Sequence, residues 1–275
     1  MITRRTFLAM AVPGMLVAVG IAGGTATADA AAPHHIASRS QLVRLTDHGL
    51  EMPDILNGPV IDLAIRNDGA IAHELAIAKV KPGTTVQQVI DANATGQANP
   101  PFLLGDPGGI NLLGPGEQLR YQRILQPGTY LYSVPNANGS FQLSPAAYHL
   151  SRVVDNRRWE LPEAERIIGL GDEAITLPKL TPGAHRYAIT NTGTRPHEVF
   201  IVGVNDPADL NRQDEVGAWL EGGQVGPPPV PVHFPGGHQT IDPGVTIVLT
   251  LTLHPATTYA FFDFQDGALA IASTR

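Results

Sequence analysis

The 275-residue chain contains no cysteine. That excludes disulfides, thiolate metal sites, cysteine nucleophiles and lipidation at Cys. Basic residues are few: 18 Lys and Arg stand against 25 Asp and Glu, a net charge of −7. Removing residues 1–30 takes away Arg4, Arg5 and Asp29 and leaves no Lys/Arg cluster in the remainder. Nucleic acids and anionic membrane surfaces are bound through such patches, so both are set aside as partners. The sequence also lacks a Gly-x-Ser-x-Gly elbow, a His-Glu-x-x-His pair, a phosphate loop and a dinucleotide fingerprint. Methionine occurs only at Met1, Met10, Met15 and Met52.

Against these absences, Gly (29) and Pro (24) are abundant and spread along the chain, which suits short strands joined by tight turns. Apolar residues make up 43%, a globular composition. The N-terminus reads as an address. Thr3-Arg4-Arg5-Thr6-Phe7-Leu8 resembles a twin-arginine export signal, with Ala9 in place of the customary Lys. A mildly apolar stretch to Gly24 follows, then Ala28-Asp29-Ala30, a small-x-small cleavage pattern. Residues 1–30 are expected to be a signal peptide. The mature protein is expected to be extracytoplasmic, whether secreted, periplasmic or wall-associated, without stable membrane insertion.

The remainder contains an internal repeat. Asn67, Gly69, His73 and Glu74 match Asn191, Gly193, His197 and Glu198 at a constant offset of 124. Pro107-Gly108-Gly109 matches Pro235-Gly236-Gly237, and Pro115-Gly116 matches Pro243-Gly244, both at an offset of 128. Tyr130 matches Tyr259. The order of landmarks predicts two domains, 41–155 and 166–275, joined by a linker at 156–165. Ile61, Leu63 and Ile65 alternate with Asp62, Ala64 and Arg66, so one strand face should be apolar and the other wet. Ile247, Leu249, Leu251 and Leu253 repeat the pattern. One short helix is expected in each copy, over Val86, Val89 and Ile90 and over Val216, Trp219 and Leu220. The fold class is therefore all-β, two tandem Greek-key sandwiches.

The order of the Asn turn, the His, the Pro-Gly turn and the late Tyr resembles the cupredoxin fold. More closely, it resembles secreted bacterial two-domain cupredoxin-like proteins. In copper-binding members the resemblance implies a first His ligand after the Asn turn, a Cys four residues beyond the Tyr, and a further His and Met. On that correspondence His73 and His197 hold the first ligand position, and Val134 and Asp263 stand where the Cys would be. His149 lies too far beyond Val134 for a tight ligand loop. The blue-copper ligands are lost, and electron transfer is not implied.

The candidate metal residues are His73, His197 and Asp263, with a structural role as the preferred reading. His233 or His238 would have to supply a third ligand. Glu74 and Glu198 should face outward into solvent, because successive strand residues point to opposite sides. Tyr130 and Tyr259 should tie the last strands to each sandwich. The loops at 99–109 and 226–238 should form either a binding rim or a structural cover. No cofactor is expected, with copper or zinc as the alternative. The first functional reading is an exported, non-catalytic protein that binds an unidentified small molecule or protein. The alternatives are a copper- or zinc-binding protein with a His/carboxylate site, and a metal-dependent oxidoreductase subunit. Changing Arg4 and Arg5 to Lys should abolish export while leaving the folded protein inside the cell. Immunoblotting of culture fractions checks this, and normal export of the double variant would refute the signal assignment.

Overall fold

The computed structural model describes residues 40–97, 99–135 and 143–274. The signal segment and His34-His35 lie outside them. The first half runs β1 (Gln41–Thr46), β2 (Gly49–Glu51), β3 (Ile55–Asn67), β4 (His73–Val80), α1 (Val86–Ala94), β5 (Leu103–Leu113), β6 (Gln118–Ile124), β7 (Gly128–Ser133) and β8 (Tyr148–Arg158). The second half repeats the order. It has β9 (Arg166–Leu170), β10 (Ile175–Thr176), β11 (Gly183–Asn191), β12 (His197–Val204), α2 (Gln213–Glu221), β13 (Val232–His233), β14 (Gly237–Ile241), β15 (Thr246–Leu253), β16 (Thr258–Phe262) and β17 (Leu269–Ser273). The fold is all-β, two tandem cupredoxin-like Greek-key sandwiches, each with a short helical connection.

The pairing is duplicated strand for strand. β1 lies parallel to β3 as β9 does to β11, and β3 pairs antiparallel with β6 as β11 does with β15. In the other layer β4 is flanked by β5 and β7, and β12 by β14 and β16. The alternating residues explain the layers. Ile61, Leu63 and Ile65 are fully buried, and so are Ile247 and Leu249. Helix α1 starts where expected, with a capping box between Thr85 and Gln88 that satisfies two otherwise orphaned backbone donors.

The repeated Pro-Gly-Gly has a steric cause. A Cβ on Gly109 would lie 1.8 Å from the Leu75 carbonyl oxygen, and one on Gly237 would lie 2.2 Å from that of Val199. Only glycine lets β5 close on β4 and β14 close on β12. Both expected loops are strand in part: β5 takes up 103–109, and β13 and β14 take up part of 226–238.

The two halves are fused along one sheet. β15 pairs antiparallel with β6 through Val248–Gln122, Leu249–Tyr121 and Thr250–Arg120. The sheet therefore runs β10-β9-β11-β15-β6-β3 without interruption. Side chains lock the other layer. Asn111 donates to the Val199 and His238 carbonyls at 3.0 and 3.1 Å, and Gln224 exchanges two bonds with the Ala72 backbone at 2.7 and 2.9 Å. The wet face expected of β3 is wet only in part. Asp62 is buried, held by Arg120 at 2.7 and 2.6 Å and by Gln122 at 2.9 Å. The 156–165 segment also begins inside a strand, since β8 continues to Arg158.

Residues 159–165 carry no strand or helix. A single proteolytic cut there should leave both pieces associated, because the β6–β15 seam does not depend on that connection. Size-exclusion chromatography of the nicked protein in native buffer checks this. Separate elution of the fragments would show that the seam is too weak to hold them.

Candidate functional site

Each half builds the same clamp at one end of its sandwich. Asn67 is fully buried and donates to the Ile71 and Leu113 carbonyls, both at 2.7 Å, while its Oδ1 accepts from the Gly69 N–H at 2.8 Å. Asn191 repeats this with Arg195, Ile241 and Gly193 at 2.7, 2.8 and 2.8 Å. An Asn side chain that stands in for backbone partners fixes the turn before the His strand. The glycine leaves room for the next contact. A Cβ on Gly69 would fall 2.3 Å from Asp47 Oδ1 and 2.7 Å from His73 Nε2. On Gly193 it would fall 2.4 Å from Asp172 Oδ1 and 2.5 Å from His197 Nε2.

The space so kept holds a His–Asp pair in each half. His73 Nε2 lies 3.0 Å from Asp47 Oδ1, and His197 Nε2 lies 3.0 Å from Asp172 Oδ1. Asp47 also accepts the Ala70 backbone N–H at 2.9 Å, and Asp172 accepts that of Thr194 at 2.9 Å. Asp172 is pulled down to about 2, by the Thr194 backbone N–H first, then by the Thr194 hydroxyl and His197. The sequence reading missed both aspartates. They sit 125 residues apart, next to the offset of the other landmarks, and that spacing was the available signal.

Four residues beyond the late Tyr the halves diverge. Val134 and Asp263 hold that position, and each donates its backbone N–H, to the Ala147 and Ala268 carbonyls, both at 2.9 Å. Val134 is buried in the apolar core, and His73 is pulled below its ordinary value by burial, against the opposing effect of Asp47. In the second half His197 Nδ1 meets Asp263 Oδ2 at 2.6 Å, with Asp266 Oδ2 3.5 Å away. Asp266 Oδ1 accepts the Ala268 N–H at 2.9 Å, whereas its Oδ2 is buried and accepts no hydrogen bond from the described residues. Burial pushes the Asp263 carboxyl up, against the Gln265 N–H and His197. His197, Asp263 and Asp266 each offer a ligand atom within 4.8 Å of the others. His73 belongs to no such group among the described residues.

The expected third ligands lie elsewhere. His238 is fully buried at the seam, stacked on Tyr121, with its Nε2 3.2 Å from both Tyr121 Oη and Arg123 Nη1. Burial and the Arg123 charge hold it well below its ordinary value, so it is neutral. His233 joins Glu117 and His254 in a separate group. His149 lies on β8 with its Nε2 3.2 Å from Asp54 Oδ1, away from the clamp. Tyr130 and Tyr259 are structural as expected: Tyr130 donates to the Gln126 carbonyl at 2.8 Å, and Tyr259 Oη accepts the His254 N–H at 2.7 Å.

Glu74 and Glu198 correct the sequence reading. Neither is fully exposed; both are half-buried where the halves meet. Gln239 of β14 donates to Glu74 at 3.3 Å across the seam. Burial pushes Glu74 up to about 7, partly offset by Gln239. Burial also pushes Glu198 up to about 8, reinforced by the charges of Asp263 and Glu74. The alternation correctly places the glutamates opposite the His side chains, but that face is covered by the other half.

No known family profile and no curated protein matches the chain. Among solved structures it is similar to reduced auracyanin from Roseiflexus castenholzii, at 20% identity over 41% of this chain and 94% of that one, with a TM-score of 0.28. A multicopper oxidase aligns at 13% identity over 86% of this chain and 89% of its own, with a TM-score of 0.27. A Cu-containing nitrite reductase from Thermus scotoductus aligns at 12% identity over 86% of this chain, which spans 61% of that enzyme, with a TM-score of 0.24. Alignments this loose say nothing about what the chain binds, and the fold rests on its own strand pairing.

Glu74→Gln supplies a pH test. A carboxyl raised in the folded state contributes stability that is fully present below its unfolded value, near 4.5, and lost as pH rises through about 7. The amide carries no such cost and keeps an acceptor for Gln239. The variant should match wild type at pH 4 and exceed it by roughly 1 kcal/mol at pH 8. Urea midpoints at the two pH values check this. An equal shift at both would show that Glu74 is solvated.

Proposed function

We propose that the chain is an exported, non-catalytic binding protein, with 41–155 and 166–275 as its two cupredoxin-like domains. In this reading the second domain holds a divalent cation in a non-blue site, with Zn²⁺ as the best-matched ion. Export rests on the Arg4-Arg5 pattern and the Ala28-Asp29-Ala30 sequence. The observation that carries the cation is the convergence of His197 Nδ1, Asp263 and Asp266.

Charge supports it. Three carboxylates, Asp172, Asp263 and Asp266, surround one buried imidazole. Arg195 lies 3.9 Å from Asp172 and 4.0 Å from Asp266, and even with it and a protonated His197 the cluster stays net negative; buried charge is tolerated only when paired or bound to a cation. Asp172 at the far ring nitrogen is the kind of outer carboxylate that orients a metal-binding His.

A blue-copper centre does not fit these residues. It requires a thiolate and favours a thioether, whereas the donors here are one imidazole and two carboxylates. Zinc accepts that set, and Cu²⁺ in a non-blue site is the second choice. A bound ion would supply neutralising charge and a position open to an oxygen-bearing ligand. The competing reading is a purely structural His197, locked between Asp172 and Asp263.

Calorimetric titration of Zn²⁺ separates the two, using mature protein with His34→Ala and His35→Ala to remove stray donors. The proposal expects one equivalent to be lost on Asp266→Asn, which keeps the Oδ1 acceptor for Ala268. It also expects Asp172→Asn to weaken that equivalent by roughly 10–100-fold. Cu²⁺ should give no intense blue thiolate band. Zinc stoichiometry unchanged by Asp266→Asn would leave His197 structural and overturn the proposal.

A further inference from the structure

A second group of donors lies at the seam, away from the His197 clamp. Glu117 belongs to the turn between β5 and β6 of the first half, while His233 ends β13 and His254 follows β15 in the second half. His254 Nε2 lies 2.7 Å from Glu117 Oε1. The His233 and His254 rings stack with centroids 4.3 Å apart and planes 24° apart. All three side chains are half-buried, and each offers a ligand atom within 4.8 Å of the others.

We propose that Glu117, His233 and His254 form a zinc site that bridges the two halves. Two imidazoles and one carboxylate are a donor set zinc uses in open sites, with ligand distances of about 2.0–2.2 Å and a fourth position for water. Ligands around one such ion lie roughly 3.3 Å apart, so only small side-chain movements separate these three from a chelating arrangement.

The backbone already holds the three positions together. Glu117 N donates to the Gly114 carbonyl and Glu117 O accepts the Asn67 N–H, both at 3.0 Å, so its turn is anchored to the first clamp. Gly114 N donates across the seam to the Phe234 carbonyl at 2.8 Å, next to His233, and Leu113 bridges Pro235. His254 is fixed on both sides, its N–H on Tyr259 Oη and its carbonyl accepting the Thr274 hydroxyl, each at 2.7 Å. Preordered backbone reduces the entropy a metal must overcome to collect its ligands.

A simple ion pair explains Glu117 and His254 but not His233. Stacking brings its ring beside the pair, while its Nε2, among the described residues, makes a long contact of 3.3 Å with Asn205 Oδ1. The Glu117–His254 pair already crosses the seam; a zinc site there adds a metal-dependent effect that the pair alone does not give: bound zinc should fasten the seam further.

The test is independent of the His197 proposal, because it uses mature protein carrying Asp266→Asn, His34→Ala and His35→Ala. Zn²⁺ titration should still show one equivalent. Glu117→Gln and His233→Ala should each weaken it by at least about 100-fold, with circular dichroism confirming that both variants are folded. Zn²⁺ should also raise Tm, because it binds only the folded protein, and Glu117→Gln should remove that shift. Co²⁺ in place of zinc should give visible bands that disappear in His233→Ala. Absence of a stoichiometric site in this background, or binding that survives both substitutions, would overturn the proposal whatever happens at His197.

Discussion

The pairing of β6 with β15 is the constraint on which the rest of the molecule depends. It sets Tyr121 opposite Leu249, with Leu63 and Tyr187 on either side, in one row of fully buried side chains. Burying side chains of that size is worth roughly 1.5–3 kcal/mol each, so the row is a substantial part of the core. The pairing also obliges polar groups at the seam to find partners there. Asp62 takes Arg120 and Gln122, His238 takes Tyr121 and Arg123, and Asn111 closes on the β12 and β14 carbonyls. The last two of these networks join groups from different halves. The two repeats are therefore better described as one body with two sandwich cores than as beads on a linker.

Within that body the duplicated clamp shows how one architecture serves two environments. Asn fixes the turn, Gly clears a space, and Asp enters it to fix one nitrogen of the His. All four residues are present in both halves, at matching distances. The halves differ at the position four residues beyond the late Tyr. In the first half it is Val134, apolar and buried, and burial pulls His73 below its ordinary value. Asp263 and Asp266 bring negative charge against His197. A buried carboxylate raises the cost of ionising its neighbours, and Glu198 is pushed up by burial first and then by the charges of Asp263 and Glu74.

Much of this was legible in the sequence. The Asn, Gly, His and Tyr landmarks gave the repeat, and the period-two runs gave the layers, because both depend on contacts within one sandwich. Features that depend on contacts between sandwiches were not legible. Glu74 and Glu198 point away from their own core, as alternation requires, but meet the other half instead of water. His233 and His238 were expected beside Asp263 and instead serve the seam, since β13 and β14 lie between the halves. Asp266 is not among the landmarks of the repeat. Its Oδ1 shapes a turn by accepting the Ala268 N–H, and its Oδ2 lies 3.5 Å from His197 Nδ1; one carboxylate performs both tasks, so turn statistics hide the second.

The same distinction bears on the one position of the repeat that differs in charge. Valine at 134 is buried and apolar and needs no partner. Aspartate at 263 is buried and ionisable, so it needs one, and His197 Nδ1 at 2.6 Å supplies it. The same strand order thus carries an apolar packing in the first half and a polar, charged one in the second. Duplication allows this, because the seam is built from β5, β6, β14 and β15, and none of these strands carries the residue that differs.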